Sequence, residues 1–313
     1  MRKTLHYCLA SHDEVMFRST EDLNWAFNCL AIAANETESR ILGESFMSDH
    51  MHTGIQTDSL SEFSHKYRYP YTRFFNNKYH RSGRLGERNA FHLEMIGLKH
   101  ISAGMSYIFR QGLHHGLTTT PFGYEHTSIN KIFAKELGKI ETQENLPRSS
   151  MWKFLPDHAT VPDGWRMSPS GLLFREDVVD TKYVEELFIT PKSFQYYMSR
   201  PTDEKWKAEQ LEESEKCKPI DVGMIEKGVV SDVELLKRNE FGRPDLSRMT
   251  DLELCSLIDK QILPRMNVQT VYDLSISQRR SVGNSLWTKY GKARNSSGKF
   301  VTAQQLKRCL IIP

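Results

Sequence analysis

Between Leu5 and Leu117 the chain switches repeatedly between two apolar patterns. Residues 5–11 (LHYCLAS) are a short apolar run of strand length. Residues 19–36 (STEDLNWAFNCLAIAANE) change to helical spacing. Leu23, Phe27, Leu30 and Ala31 fall on one side, behind a Ser/Thr cap and two acids. Residues 40–48 and 50–57 read as two strands joined by a tight turn. Residues 58–79 return to helix, with Asp58 or Ser59 as cap, and Pro70 is expected to kink it or start a new segment. Residues 89–96 alternate as a fourth strand, and residues 98–117 form a helix ended by glycine. The order β-α-β-β-α-β-α is that of a split βαβ, or ferredoxin-like, arrangement with an antiparallel sheet. The expected fold class is α+β.

After Leu146 the pattern changes. Residues 151–174 are rich in Pro, Gly and Trp and read as loops, and two helices are expected within 181–200. Residues 203–240 are charged and weakly periodic, as in a linker or surface helix. From Met249 onward, three or four short helices with Thr or Ser caps return. Three regions follow: 1–145, a connecting region 146–245 of loops and helices, and a mainly helical region 246–313.

Composition narrows the class. The chain has 313 residues, 39% hydrophobic and 26% charged, with a net charge of +3. These are globular values, and the net charge alone demands no polyanionic partner. Five scattered cysteines without a CxxC pair argue against a disulfide framework or a structural zinc site. No apolar signal core opens the chain, and no apolar run approaches the ~18 residues of a membrane span. A cytoplasmic protein is expected.

Local chemistry is more pointed. His50 and His52 lie at i and i+2 on an expected strand, so both rings share one face while Met51 faces the other way. Such a pair can hold a metal ion or lie idle on a surface. Residues 65–88 carry seven Lys/Arg (66, 68, 73, 78, 81, 84, 88), one acid and six aromatic residues. Cations interleaved with rings suit a nucleic-acid strand, although an amphipathic helix with core aromatics gives the same pattern. Tyr107 and Gln111 are one turn apart on one helix face.

Taken together, these segments resemble the single-tyrosine HUH transposases, in the branch of REP-associated tyrosine transposases, over about residues 4–130. The resemblance is carried by "HYCLASHDEVMFRSTEDLNWAF", by "FMSDHMH", by "YTRFFNNKYHRSGRLGERNAF" and by "YIFRQGLHHGL". Asp49 stands where that family has Asn, Ser48 where it has Pro, and Gln111-Gly112 where it has Asn-Pro.

The resemblance implies a ferredoxin-like HUH nuclease domain at residues 1–145. It further implies cleavage and rejoining of single-stranded, hairpin-bearing DNA by Tyr107, through a 5′-phosphotyrosine. A phenol, with a pKa near 10, attacks and leaves more readily than an alcohol. His50, His52 and Gln111 would be three neutral ligands of a divalent cation, Mg²⁺ or Mn²⁺. Asp49, on the opposite face of a regular strand, would have no part in holding their rings. Arg68, Arg73, Lys78, Arg81, Arg84 and Arg88 would contact DNA. The basic C-terminal helices resemble a helix-turn-helix, with Arg279, Arg280, Gln304, Gln305 and Arg308 as DNA-facing residues. The alternative reading is a non-catalytic hairpin-binding regulator derived from such an enzyme. Homodimer and monomer both stay open.

Overall fold

A computed structural model describes residues 2–140, 142–200, 224, 247–291 and 298–313. Residues 203–240, expected as a linker or surface helix, lie outside the described residues apart from Met224.

Four strands, β1 (Lys3–Ala10), β2 (Arg40–Phe46), β3 (His50–Thr57) and β4 (Phe91–Glu94), form one antiparallel sheet in the order β2-β3-β1-β4. With helices α1 (Thr20–Glu36) and α2 (Leu60–Tyr79) in the crossovers, this is the ferredoxin-like arrangement within an α+β chain. Alternation divides the side chains between the two faces. Leu5, Tyr7, Leu9, Met51 and Ile55 point into a core with α1 and α2. His6, Cys8, His50, His52 and Gly54 occupy the alternate positions, towards the other face.

Helix α1 starts where expected because Ser19 and Asp22 cap each other's backbone N–H groups. Helix α2 runs unbroken through Pro70, so no new segment starts there. Phe63, Tyr67, Tyr71, Phe75 and Tyr79 recur every four residues along one buried line. Tyr71 Oη donates to the Met16 carbonyl at 2.6 Å and Tyr79 Oη to Asp22 Oδ2 at 2.8 Å. This packing outweighs the one backbone hydrogen bond that proline removes.

The expected helix over 98–117 is two pieces, α3 (Leu98–Phe109) and α4 (Gln111–His114), separated at Arg110. Residues 146–200 wrap both faces of the sheet. Met151, Leu155 and Leu173 join the first core, while Val184 of α5 (Thr181–Phe188) and Phe194 of α6 (Pro191–Ser199) join a second core with α3.

Helices α7 (Asp251–Leu257), α8 (Ile276–Tyr290) and α9 (Ala303–Leu310) enclose a third core, which Val15 of the N-terminal part also enters. Polar bonds tie this region to the sheet. The Arg18 guanidinium donates to the Cys309 carbonyl at 2.8 Å and to Asp259 Oδ1 at 2.6 Å. Tyr272 Oη donates to Glu14 Oε2 at 2.6 Å. Cys8, Cys29, Cys255 and Cys309 are free thiols. No described helix is long and apolar enough to cross a membrane.

Candidate active site

The sheet face opposite α1 and α2 carries the chemistry. His50 and His52 share that face as their spacing predicts, with ring centroids 5.0 Å apart. Neither is a surface residue: they are 2% and 0% exposed. Each ring is held at Nδ1. His50 Nδ1 lies 2.8 Å from Asp49 Oδ1, and His52 Nδ1 lies 2.8 Å from His6 Nε2. Both Nε2 atoms are buried and have no hydrogen-bond partner. An imidazole that donates at Nδ1 and is unspent at Nε2 is poised to ligate a metal.

Asp49 corrects the expectation that it would face away. It precedes the first residue of β3, in the turn from β2, and its carbonyl accepts from Ser11 N at 2.8 Å. Strand alternation therefore does not govern its side chain. Burial disfavours its charge, but the Arg308 guanidinium and then the His50 ring outweigh that and hold the carboxyl well below its usual range. His6, on the neighbouring strand β1, stacks on His52 with centroids 5.0 Å apart.

Tyr107 comes to this face on α3. Its ring is 5.5 Å from that of His52, edge to face, and 6.2 Å from that of His6. Two glycines let the helix lie so close. A Cβ on Gly54 would stand 2.4 Å from Met105 Sδ, and one on Gly43 2.5 Å from the Phe109 ring.

Gln111 is fully buried one turn beyond Tyr107. Its Nε2 donates to the Tyr107 carbonyl at 3.1 Å, and its Oε1 lies 3.2 Å from His115 Nε2. The ring of His115 in turn packs 4.8 Å from that of His50. Gln111 thus joins the histidine pair through His115.

Burial, then neighbouring rings, push His52 and His115 well below the ordinary imidazole pKa, and burial pushes His6 down to about 3. These three rings are therefore neutral at physiological pH. Among the described residues, no three His, Cys, Asp or Glu side chains form a metal-holding group. The donor set on offer is two imidazole nitrogens and an amide. His50 and His52 fit a divalent cation through their unspent Nε2 atoms. Gln111 fits less directly, because its oxygen faces His115, although a carbonyl has a second lone pair.

The residues expected on DNA divide sharply. Arg84, Arg88, Arg280 and Gln304 are exposed. Arg68 spends its guanidinium on the carbonyls of Glu87 and Arg88 and so pins the loop that carries Arg84 and Arg88. Together with His65 and the exposed Tyr69, these arginines line a groove of about 770 Å³. Arg73 pairs with Asp157 at 3.2 Å on the surface. The others serve the fold. Lys78 binds Glu21 at 2.7 Å and Asp22 at 2.6 Å, and Arg81 binds Glu14 through two nitrogens. Arg279 donates to the carbonyls of Tyr272, Leu274 and Ile311. Gln305 and Arg308 are buried against Asp251. A cavity of about 300 Å³ is lined by residues of both the histidine face and the C-terminal helices, among them Asp49, His115, Tyr124, Asp251 and Arg308.

No protein-family model matches the chain, and no curated protein matches it. Among solved structures it is similar to a REP-associated tyrosine transposase bound to a REP hairpin. That likeness has a TM-score of 0.39 and 12% identity, over 51% of this chain and 93% of the other. At that level it supports no functional statement about this chain.

Proposed function

We propose that this protein cleaves and rejoins single-stranded DNA, with Tyr107 as the nucleophile. The observation that carries the reading is the seating of the Tyr107 ring, 5.5 Å from that of His52, on a face where His50 and His52 keep unspent Nε2 atoms. The Tyr107 oxygen bonds to phosphorus, the P–O3′ bond breaks, and the phenol gives up a proton as the 3′-oxygen takes one. Attack by a 3′-OH on the phosphotyrosine reverses both changes, so no external energy source is needed.

A divalent cation held by His50, His52 and Gln111 would polarise the phosphate and stabilise its developing charge. The chain's own residues do the rest. Asp49 and His6 fix the two rings, and burial keeps His52 neutral so that its nitrogen stays a donor. Gln111 holds the helix end that carries Tyr107. Arg84 and Arg88, with Tyr69 and His65 on the same groove, offer phosphate contacts and a stacking surface for a hairpin.

The burial of Tyr107, 6% exposed, favours a second reading as a hairpin-binding protein that does not cleave. One experiment separates the two. Wild type and Tyr107→Phe are incubated with labelled single-stranded hairpins and Mn²⁺, and SDS-resistant adducts are scored. Adducts from wild type alone support cleavage. Hairpin binding without adducts from either protein supports the regulator.

A further inference from the structure

We infer that helix α9 completes the histidine–tyrosine centre: Arg308 is a positioning residue that fixes Asp49 and, through it, the ring of His50. This rests on the reading of His50 given above.

One carboxylate bridges the two groups. Arg308 Nη1 lies 2.7 Å from Asp49 Oδ2, and Asp49 Oδ1 lies 2.8 Å from His50 Nδ1. The other arm of the guanidinium, Nη2, donates to Asp251 Oδ2 at 2.7 Å. Asp251 also accepts from Ser48 Oγ at 2.6 Å and from Gln305 Nε2 at 2.8 Å. Ser48 and Asp49 are the two residues before His50. The C-terminal region therefore grips the β2–β3 turn at both side chains that lead into the histidine pair.

The network is buried throughout. Side-chain exposure is 6% for Arg308, 6% for Asp251, 14% for Asp49 and 2% for His50. A buried guanidinium with two carboxylates is a poor device for merely attaching a helix, since desolvation offsets much of the attraction. Attachment is provided separately, by Leu306, Cys309 and Leu310 in the apolar core and by the bond from Arg18 to the Cys309 carbonyl.

What the network does have is direction. With Oδ2 held by Arg308, the carboxylate turns Oδ1 to the ring and can only accept. Nδ1 of His50 must then carry a proton, so that in the neutral ring Nε2, buried and without a partner, is the nitrogen with the lone pair. Arg308 also offsets a negative charge that would otherwise oppose a phosphate beside His50.

The test uses the full chain, free of metal. Histidine side chains are labelled with ¹⁵N, and the tautomer of His50 is read by long-range ¹H–¹⁵N correlation in wild type, Arg308→Met, Arg308→Lys and Asp49→Asn. A Mn²⁺ titration of each follows. Wild type is expected to show one His50 tautomer, protonated at Nδ1. Arg308→Met and Asp49→Asn are expected to show mixed tautomers and a Mn²⁺ dissociation constant raised by about 10- to 100-fold. Arg308→Lys, which keeps the charge without the fork, should fall between. Should Arg308→Met fail to fold, Arg308→Lys and Asp49→Asn decide by the same readout. A wild-type tautomer in the folded variants would overturn the inference. Wild type that neither binds Mn²⁺ nor forms adducts would sink the functional reading, while the tautomer comparison would still decide the role of Arg308.

Discussion

The ring of His6 stacks on that of His52, and the two meet at a hydrogen bond of 2.8 Å between His6 Nε2 and His52 Nδ1. Only one nitrogen of the pair can donate. If His52 is to offer Nε2 to a ligand, its own Nδ1 must be the donor and His6 Nε2 the acceptor.

Replacing His6 tests this directly. His6→Ala leaves His52 Nδ1 buried without a partner, at a cost of about 1–3 kcal/mol. Mn²⁺ affinity should fall by about 10- to 100-fold. Thermal melting reads the first effect and a Mn²⁺ titration the second. Unchanged affinity would mean that something other than His6 sets the His52 ring.

Metal should act as a stabilising ligand. At a free Mn²⁺ concentration 100 times the dissociation constant, wild type should gain about 2.7 kcal/mol. Chelation should reverse the gain, and His52→Ala should show none. A melting temperature indifferent to Mn²⁺ in wild type would remove the cation from the proposal.

The cations of α2 and its following loop should separate by experiment as they do by contact. Arg84→Ala and Arg88→Ala should each lower the salt slope of hairpin binding by about 1, with melting unchanged. Arg81→Met should instead unfold the protein more readily, by about 3 kcal/mol, because a Glu14 carboxylate only 12% exposed loses its cation and keeps only the Tyr272 hydroxyl. Equal effects of all three on the salt slope would refute the division.

Close approach of α3 depends on Gly43. Gly43→Ala sets a methyl group 2.5 Å from the Phe109 ring, which is itself packed against Phe194. The expected loss is about 1–3 kcal/mol, together with fewer Tyr107 adducts as the helix shifts. Phe109→Leu in the same chain should restore part of both. No recovery of stability would mean that the helix does not rest on this contact.

Acid should loosen the C-terminal helices through Glu253. Burial raises its carboxyl pKa, but bonds from Thr250 N at 2.8 Å and Lys299 Nζ at 3.0 Å bring it below the ordinary 4.5. A carboxylate depressed in the folded state adds stability above its unfolded pKa and loses it as pH falls through the folded value. Glu253→Gln should therefore melt lower than wild type at pH 7, with the gap closing below pH 4.5. A gap constant with pH would assign the effect to shape rather than charge.

The fold was legible where one residue's surroundings are set by its near neighbours. The alternation of β3 placed His50, Met51 and His52 correctly, and Ser19 with Asp22 marked the start of α1. It was less legible where distant parts of the chain decide. Pro70 reads as a break, but a line of five buried aromatic side chains keeps α2 continuous. Gln305 and Arg308 have the composition of a DNA-reading helix face, yet both turn inward. A buried polar network and a solvated polar face use the same residue types, and only the partner, here Asp251, tells them apart. His6 was within reach, because antiparallel pairing of β1 with β3 brings it to the face of His52. His115 was within reach too, lying one turn beyond Gln111.

The bonds from Arg18 also bear on the order of assembly during synthesis. Its acceptors lie 241 residues away at Asp259 and 291 away at Cys309. At ~5–20 residues per second, a ribosome needs about 15–60 s to cover the longer of these distances. Throughout that interval the connection from β1 to α1 carries an unmatched guanidinium, and the turn before His50 lacks its grip. The contacts that fix this turn should accordingly form only after residue 309 has been added.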